Sequence, residues 1–180
     1  MIIDDICLAF FTSQKKPYFE NKEKIYVSLL IHSWIDALLT AVPTLNTIID
    51  IDNESEFSKF VLWCFNNSNR LNWTVGISII RYLKHINKDI DKETRHMLIL
   101  FSCSQWTYEN KTSEHYLFVI DKHYSDFIFC SEKSSDARIS RKTYMIKNNI
   151  IQNLGHHDFY YFTLCKNSNL NISNLPIKEV

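Results

Sequence analysis

The sequence contains very little glycine or proline, and it carries no excess of charge of either sign. Only 2 glycines and 3 prolines occur among 180 residues, which excludes collagen-like and low-complexity chains. Lysine plus arginine is 20 and aspartate plus glutamate is 20. A protein that coats nucleic acid needs a surplus of basic residues, so no nucleic-acid partner is expected.

Signals for phosphate-binding loops and for export are also missing. Gly76 and Gly155 are too far apart to form a glycine-rich phosphate loop or a dinucleotide fingerprint. The amino terminus has Asp4 and Asp5 where a secretory signal has basic residues, and its apolar run ends at Thr12. No segment approaches the roughly 18 apolar residues of a membrane span. We therefore expect a protein without a membrane span, either cytoplasmic or secreted without a cleavable signal peptide.

The cysteines and histidines do not form a metal-binding or disulfide pattern. The number of cysteines, 5, is odd, and no Cys-x-x-Cys pair occurs, so a disulfide framework or zinc knuckle is excluded. His156 and His157 are neighbours and would point to opposite faces of a strand. The sequence thus predicts neither a metal site nor a cofactor, and most of the cysteines are expected to be buried thiols.

The first half of the chain has helical periodicity. In the segment 54–66, apolar residues recur at i, i+3, i+4, i+7 and i+8, which is one face of a helix. Helices are also predicted over 24–41, where Pro43 ends the pattern, and over 74–87, with Thr74 as the cap.

The second half is typical of strands. Strands are predicted over 97–107, 115–121, 126–132 and 158–165, with a further helix over 141–153. The short connection 122–125 makes the two middle strands an antiparallel pair. The prediction is an α+β fold, in which an N-terminal helical layer of about three helices packs on a C-terminal antiparallel sheet of about four strands with one inserted helix. Residues 1–165 are expected to form a single domain and 166–180 a polar, loose tail.

One set of residues could act as a thiol nucleophile with an imidazole base and an acid. Cys7 follows two aspartates in what would be the first turn of a short helix, where exposed amide groups favour a thiolate. His115 opens a buried strand, and Glu132 or Asp136 could reach it from the neighbouring strand end. The alternative interpretation is that Cys7 and His115 are core or edge residues and that both acids are solvated.

The order of these elements is similar to that of papain-like cysteine proteases and deamidases. The resemblance covers topology only, because the residues around Cys7 and Cys64 lack the motif that surrounds the nucleophile of that family. It implies a cysteine hydrolase or deamidase that uses Cys7, His115 and either Glu132 or Asp136.

The aromatic content, 14%, gives a second hypothesis. Phe159, Tyr160, Tyr161 and Phe162 alternate along one predicted strand. If this strand lies at an edge, one of its aromatic faces could bind a partner protein; if it is central, both faces belong to the core. Since no catalytic motif is complete, the preferred hypothesis is an accessory protein, bacterial or viral, that acts by protein–protein binding as an immunity, inhibitor or host-interaction factor.

Overall fold

The computed structural model of the chain has an α+β fold, with the helices preceding an antiparallel five-stranded sheet. It describes residues 33, 35–49, 54–67, 72–109, 114–133, 141–148, 154–167 and 177–180. The chain divides into two compact units, residues 1–101 and 102–180. The predicted fold class is confirmed, whereas a single domain over 1–165 stays a prediction. Among the described residues, no helix is long and apolar enough to cross a membrane.

The first unit is helical. Residues 35–41 belong to helix α1, and α2 (Leu45–Ile48), α3 (Glu54–Asn66) and α4 (Val75–His85) follow it. Helix α5 (Lys92–Glu109) begins in this unit and continues into the second. The helices predicted over 24–41, 54–66 and 74–87 are confirmed wherever the structure describes them.

The apolar stripe of α3 is buried as the sequence predicts. Phe57, Phe60, Val61 and Cys64 are all buried. The Phe60 ring lies edge-on to Tyr82 of α4 with 5.4 Å between the ring centroids. This aromatic contact joins the two helices within the core of the first unit.

The strand predicted over 97–107 is wrong, because these residues lie within α5. A short apolar run does not distinguish a strand from a buried helix. The helical face includes polar positions: Thr94, Leu98, Phe101 and Ser102 are buried at i, i+4, i+7 and i+8. The local signal for the start of the helix is Asp91, whose carboxylate accepts hydrogen bonds from the backbone N–H and the hydroxyl of Thr94 at 2.7 and 2.8 Å.

The second unit contains the sheet. Its strands are β1 (His115–Asp121), β2 (Phe127–Lys133), β3 (Arg141–Lys147), β4 (Phe159–Cys165) and β5 (Lys178–Glu179), and a 3-10 turn over Lys122–Tyr124 joins β1 to β2. Their order across the sheet is β3-β2-β1-β4-β5, and all neighbours are antiparallel. The predicted strands over 115–121, 126–132 and 158–165 are confirmed.

Two predictions about the second unit need correction. The helix predicted over 141–153 is wrong for Arg141–Lys147, which form β3 against β2; Ser131 and Thr143 share a hydrogen bond of 3.1 Å across this pair. Residues 149–153 lie outside the described residues. The tail over 166–180 is not wholly loose, because Lys178 and Glu179 pair with Tyr161 and Tyr160 of β4.

The sheet register sorts the side chains onto two faces, since successive residues of a strand point to opposite sides. The histidine face carries His115, Leu117, Val119 and Asp121 of β1. The aromatic face carries Tyr116, Phe118 and Ile120. On the aromatic face, a buried cluster gathers residues from three strands: Ile120, Ile128, Tyr160, Phe162 and Leu164.

We expect Asp91→Ala to lower the free energy of unfolding at neutral pH, because Thr94 loses its acceptor at the start of α5. The backbone and side-chain hydrogen bonds from Thr94 hold the pKa of the Asp91 carboxyl below its usual value. A carboxyl whose pKa is lower in the folded state stabilises the fold above its unfolded pKa, roughly 4. Urea unfolding of wild type and variant should therefore differ most at neutral pH, and the difference should shrink as pH falls through the folded-state pKa.

Asp91→Asn is the matched control, because an amide keeps a neutral acceptor at this position. It should retain part of the stability that Asp91→Ala loses, and its stability should not follow the titration of a carboxyl here. A wild-type advantage over Asp91→Ala that stays constant from neutral pH to about pH 3 would contradict the capping role.

Candidate functional site

The structure places two of the four predicted catalytic residues and separates them. Cys7 and Asp136 lie outside the described residues. His115 begins β1, and Glu132 of β2 lies directly opposite Tyr116. Because His115 and Tyr116 point to opposite sides of the sheet, Glu132 is on the aromatic face and His115 is not. The sheet therefore does not bring the Glu132 carboxylate to His115.

Glu132 instead belongs to a polar group at one end of the aromatic face. The Tyr144 hydroxyl donates to Oε1 of Glu132 at 3.4 Å, and Lys166 Nζ lies 3.9 Å from Oε2. The same ammonium group lies 5.2 Å from the centre of the Tyr116 ring and donates to the Lys133 carbonyl at 2.7 Å. Burial, and then the charge of Glu132, raise the pKa of Tyr116. Glu132 thus helps to position this lysine and the two tyrosines.

His115 has a different neighbour, which is not among the residues that the sequence predicts for the site. In the pairing of β1 with β4, Cys165 is the residue directly opposite His115. The Cys165 side chain is exposed. Finding this pair from the sequence would have required the register between two strands that are separated by 37 residues of chain, from Asp121 to Phe159.

The other described cysteines are buried, as predicted for most of the thiols. Cys64, Cys103 and Cys130 have exposed fractions of 0%, 0% and 6%. Burial raises the pKa of Cys103, and burial together with the nearby Glu132 raises the pKa of Cys130 to about 11. These two thiols are therefore protonated at neutral pH and act as small apolar side chains.

The aromatic strand lies inside the described part of the sheet. Strand β4 is between β1 and β5, although β5 pairs only with Tyr160 and Tyr161. Phe159, Tyr160 and Phe162 are buried, and Tyr161 is half-buried. The Phe162 ring stacks on Phe118 with 4.8 Å between centroids and 6° between planes. These contacts are typical of core packing, and a partner-binding role of Phe159–Phe162 stays a prediction.

Strand β3 carries the exposed apolar residues of the sheet. Tyr144, Met145 and Ile146 are consecutive and have exposed fractions of 43%, 46% and 44%. In the part of the chain that the structure describes, β3 is the last strand on its side of the sheet. Because the sequence predicts a helix over 141–153, this surface is not among the expected functional residues. A strand that exposes large apolar side chains on both of its faces is a candidate interaction surface.

The backbone N–H and C=O groups of alternate β3 residues point away from the sheet. The hydrogen bond from Asn148 N–H to the Asp126 carbonyl, 2.6 Å, fixes the phase of the β2–β3 ladder. In an antiparallel pair, the backbone groups of every second residue form hydrogen bonds to the neighbouring strand. The backbone groups of Lys142, Tyr144 and Ile146 therefore bond to β2. The N–H and C=O groups of Thr143 and Met145 point away from β2. The strand sequence, Arg-Lys-Thr-Tyr-Met-Ile-Lys, contains three cations and no acid.

The described residues do not assemble a metal site. No group of three or more histidine, cysteine, aspartate or glutamate side chains among them could hold a metal ion. Two surfaces of the second unit are candidates for function: the β3 edge, defined by Arg141–Lys147, and the Cys165–His115 pair.

A comparison with known families gives the chain a classification. The model of one family, described as methanobactin biosynthesis cassette protein MbnC-like, matches residues 16–174. The chain belongs to the MbnC-like family. The match spans most of the residues of both units, and this MbnC-like description is that of an accessory protein of biosynthesis. No curated protein matches the chain.

If Phe162 is a core residue of this MbnC-like sheet, Phe162→Ala should destabilise the protein by about 3–5 kcal/mol, because it removes a buried ring and leaves a cavity. Urea unfolding measures this loss. Tyr161→Ala is the matched control, since Tyr161 is the neighbouring aromatic residue, is only half-buried and lies on the other face. A Phe162→Ala protein that is as stable as Tyr161→Ala would show that the stacked rings do not contribute to the core.

Proposed function

We propose that this MbnC-like chain takes part in methanobactin biosynthesis by binding another protein along the β3 edge. Three observations support the proposal: the family match, the exposed apolar side chains of β3 and its outward-facing backbone groups. The single observation that carries it is the row Tyr144, Met145 and Ile146 on an edge strand.

An edge strand binds an extended segment by adding it to the sheet. The backbone groups of Thr143 and Met145 would form the new hydrogen bonds, which supply affinity without regard to sequence. The side chains of Tyr144 and Ile146 lie on the aromatic face and that of Met145 on the histidine face. An added strand would therefore gain apolar contacts on both sides of the sheet, and those contacts would supply specificity.

The positive charge of β3 favours a partner segment that carries negative charge. Arg141 and Lys142 lie at one end of the strand and Lys147 at the other. Charges of opposite sign that face each other across a strand pair are favourable, and like charges are unfavourable. We infer that the partner segment is extended and apolar, with acidic residues at its ends. Pairing of two copies through β3 would place cations against cations in either orientation, which disfavours a symmetric dimer at this edge.

We expect co-expression with the other proteins of the same biosynthesis cassette to give a complex that co-elutes on size-exclusion chromatography. In that complex, hydrogen exchange should slow at the amides of Thr143 and Met145, because both N–H groups would join the new ladder. Met145→Pro should weaken the complex about tenfold or more, since proline removes one donor and its ring blocks the approach of a strand. Binding is measured by titration with the purified cassette partner.

Met145→Leu is the matched control, because it keeps the N–H group and an apolar side chain of similar volume. It should change the affinity by less than about threefold. The proline variant should keep the native circular dichroism spectrum, since proline is tolerated on an edge strand where the N–H points away from the sheet. A complex that tolerates Met145→Pro, or one whose protected amides lie away from β3, would contradict the proposed surface. Elution of this chain by itself as a dimer would contradict the inference that β3 binds a different partner with acidic ends.

A further inference from the structure

Cys165 and His115 occupy the closest type of position that two antiparallel strands provide. They are direct partners in the β1–β4 register. Lys166 N–H donates to the Glu114 carbonyl at 2.7 Å, and Lys122 N–H donates to the Asp158 carbonyl at 2.9 Å. These bonds show that even-numbered residues of β1 bond to β4, so His115 and Cys165 form a non-hydrogen-bonded pair. The Cα atoms of such pairs are about 4.5 Å apart, and their side chains are close together.

Both side chains lie on the histidine face and both reach the surface. Cys165 is exposed and His115 is half-buried. A thiol beside an imidazole has a base that can accept its proton. Among the described cysteines, Cys165 is exposed and has a basic neighbour, whereas the other three are buried.

One lysine lies in the same row of the sheet as His115. The β1–β2 register pairs Tyr116 with Glu132, and one further step places Lys133 across from His115. The nearest acid of β2, Glu132, is on the other face with Lys166. Within this row, His115 is the direct partner of Cys165, whereas Lys133 is two strands away from it. The thiol has to lose its proton before it attacks, because the thiolate is the nucleophile.

We propose that Cys165 and His115 form a reactive thiol–imidazole pair that exchanges with small disulfides. In the reaction, His115 accepts the proton of the Cys165 thiol, and the thiolate sulfur attacks one sulfur of the disulfide. A new S–S bond joins Cys165 to that half of the reagent, while the old S–S bond breaks. The other half leaves as a thiolate and takes the proton from His115. Cys165 is oxidised to a mixed disulfide, and half of the reagent is reduced to a thiol.

The mixed disulfide would add a bulky polar group to the histidine face at the end of β4. This modification site is distinct from the β3 edge, since β1 and β2 lie between β4 and β3. The proposal does not depend on the protein-binding function, and either can fail without the other.

The test uses oxidised glutathione as the probe and measures the modification of each cysteine by peptide mass spectrometry. At neutral pH, Cys165 should react about tenfold faster than a thiol without a basic neighbour, because His115 can accept its proton as the sulfur attacks. Cys103 and Cys130 should remain unmodified in the folded protein, since both are buried protonated thiols.

The matched control moves the thiol by two residues on the same strand. In Cys165→Ser with Thr163→Cys, the new thiol lies on the same face, at another exposed position and in the same type of strand pair, but opposite Leu117. It should react at the rate of an ordinary exposed thiol. His115→Gln should lower the rate of Cys165 to a similar value.

The pH profile distinguishes a base from a merely structural neighbour. Between about pH 6 and pH 7 the reaction rate of an ordinary thiol rises nearly tenfold, in proportion to its thiolate fraction. The rate of Cys165 in the His115→Gln variant should rise by the same factor. The wild-type rate should change less over the same interval. A wild-type Cys165 that reacts no faster than the Thr163→Cys thiol, or that keeps its rate and pH profile in a folded His115→Gln variant, would overturn the proposal.

Discussion

The antiparallel register of β1 against its two neighbours is the constraint on which the second unit depends. It places Ile120 beside Ile128 and Tyr160, and this contact is part of the buried cluster on the aromatic face. It also places Cys165 opposite His115 and Glu132 opposite Tyr116. A slip of one residue would move every side chain of a strand to the other face. The core and the surface chemistry of the sheet are therefore set by the same hydrogen-bond ladder, and a change that alters one alters the other.

The sheet uses its aromatic residues differently at its centre and at its edge. In β1 and β4, Phe118 and Phe162 stack within the sheet, and Phe162 is buried. In β3, Tyr144 keeps 43% of its surface exposed, and its hydroxyl donates a hydrogen bond to Glu132. Burial of rings in the centre accounts for a large apolar contribution to stability. The edge contributes less to that core, which leaves its side chains available for a partner.

The sequence predicts elements well where one face is clearly apolar, as in α3, and where a strand is flanked by a short turn, as in β1 and β2. It fails where the periodicity is ambiguous. The buried face of α5 includes Thr94 and Ser102, so that a helix of 18 residues shows only a short apolar run. Strand β3 is an edge strand with exposed apolar residues, and its pairing with β2 is a tertiary contact that local propensity does not encode. The candidate site is the part that the sequence predicts least well, because Cys165 and His115 meet only through a strand register that no local pattern specifies.

The two surfaces proposed for function lie in different parts of the sheet. The β3 edge combines outward backbone groups, apolar side chains and cations, a combination that suits an extended apolar segment with acidic ends. The Cys165–His115 pair lies two strands away, at the junction of β1 and β4. A reagent bound to Cys165 would thus be carried by the histidine face without occupying the backbone groups of β3. Because β1 pairs with both β2 and β4 along nearly its whole length, it can hold both surfaces in fixed positions within one sheet.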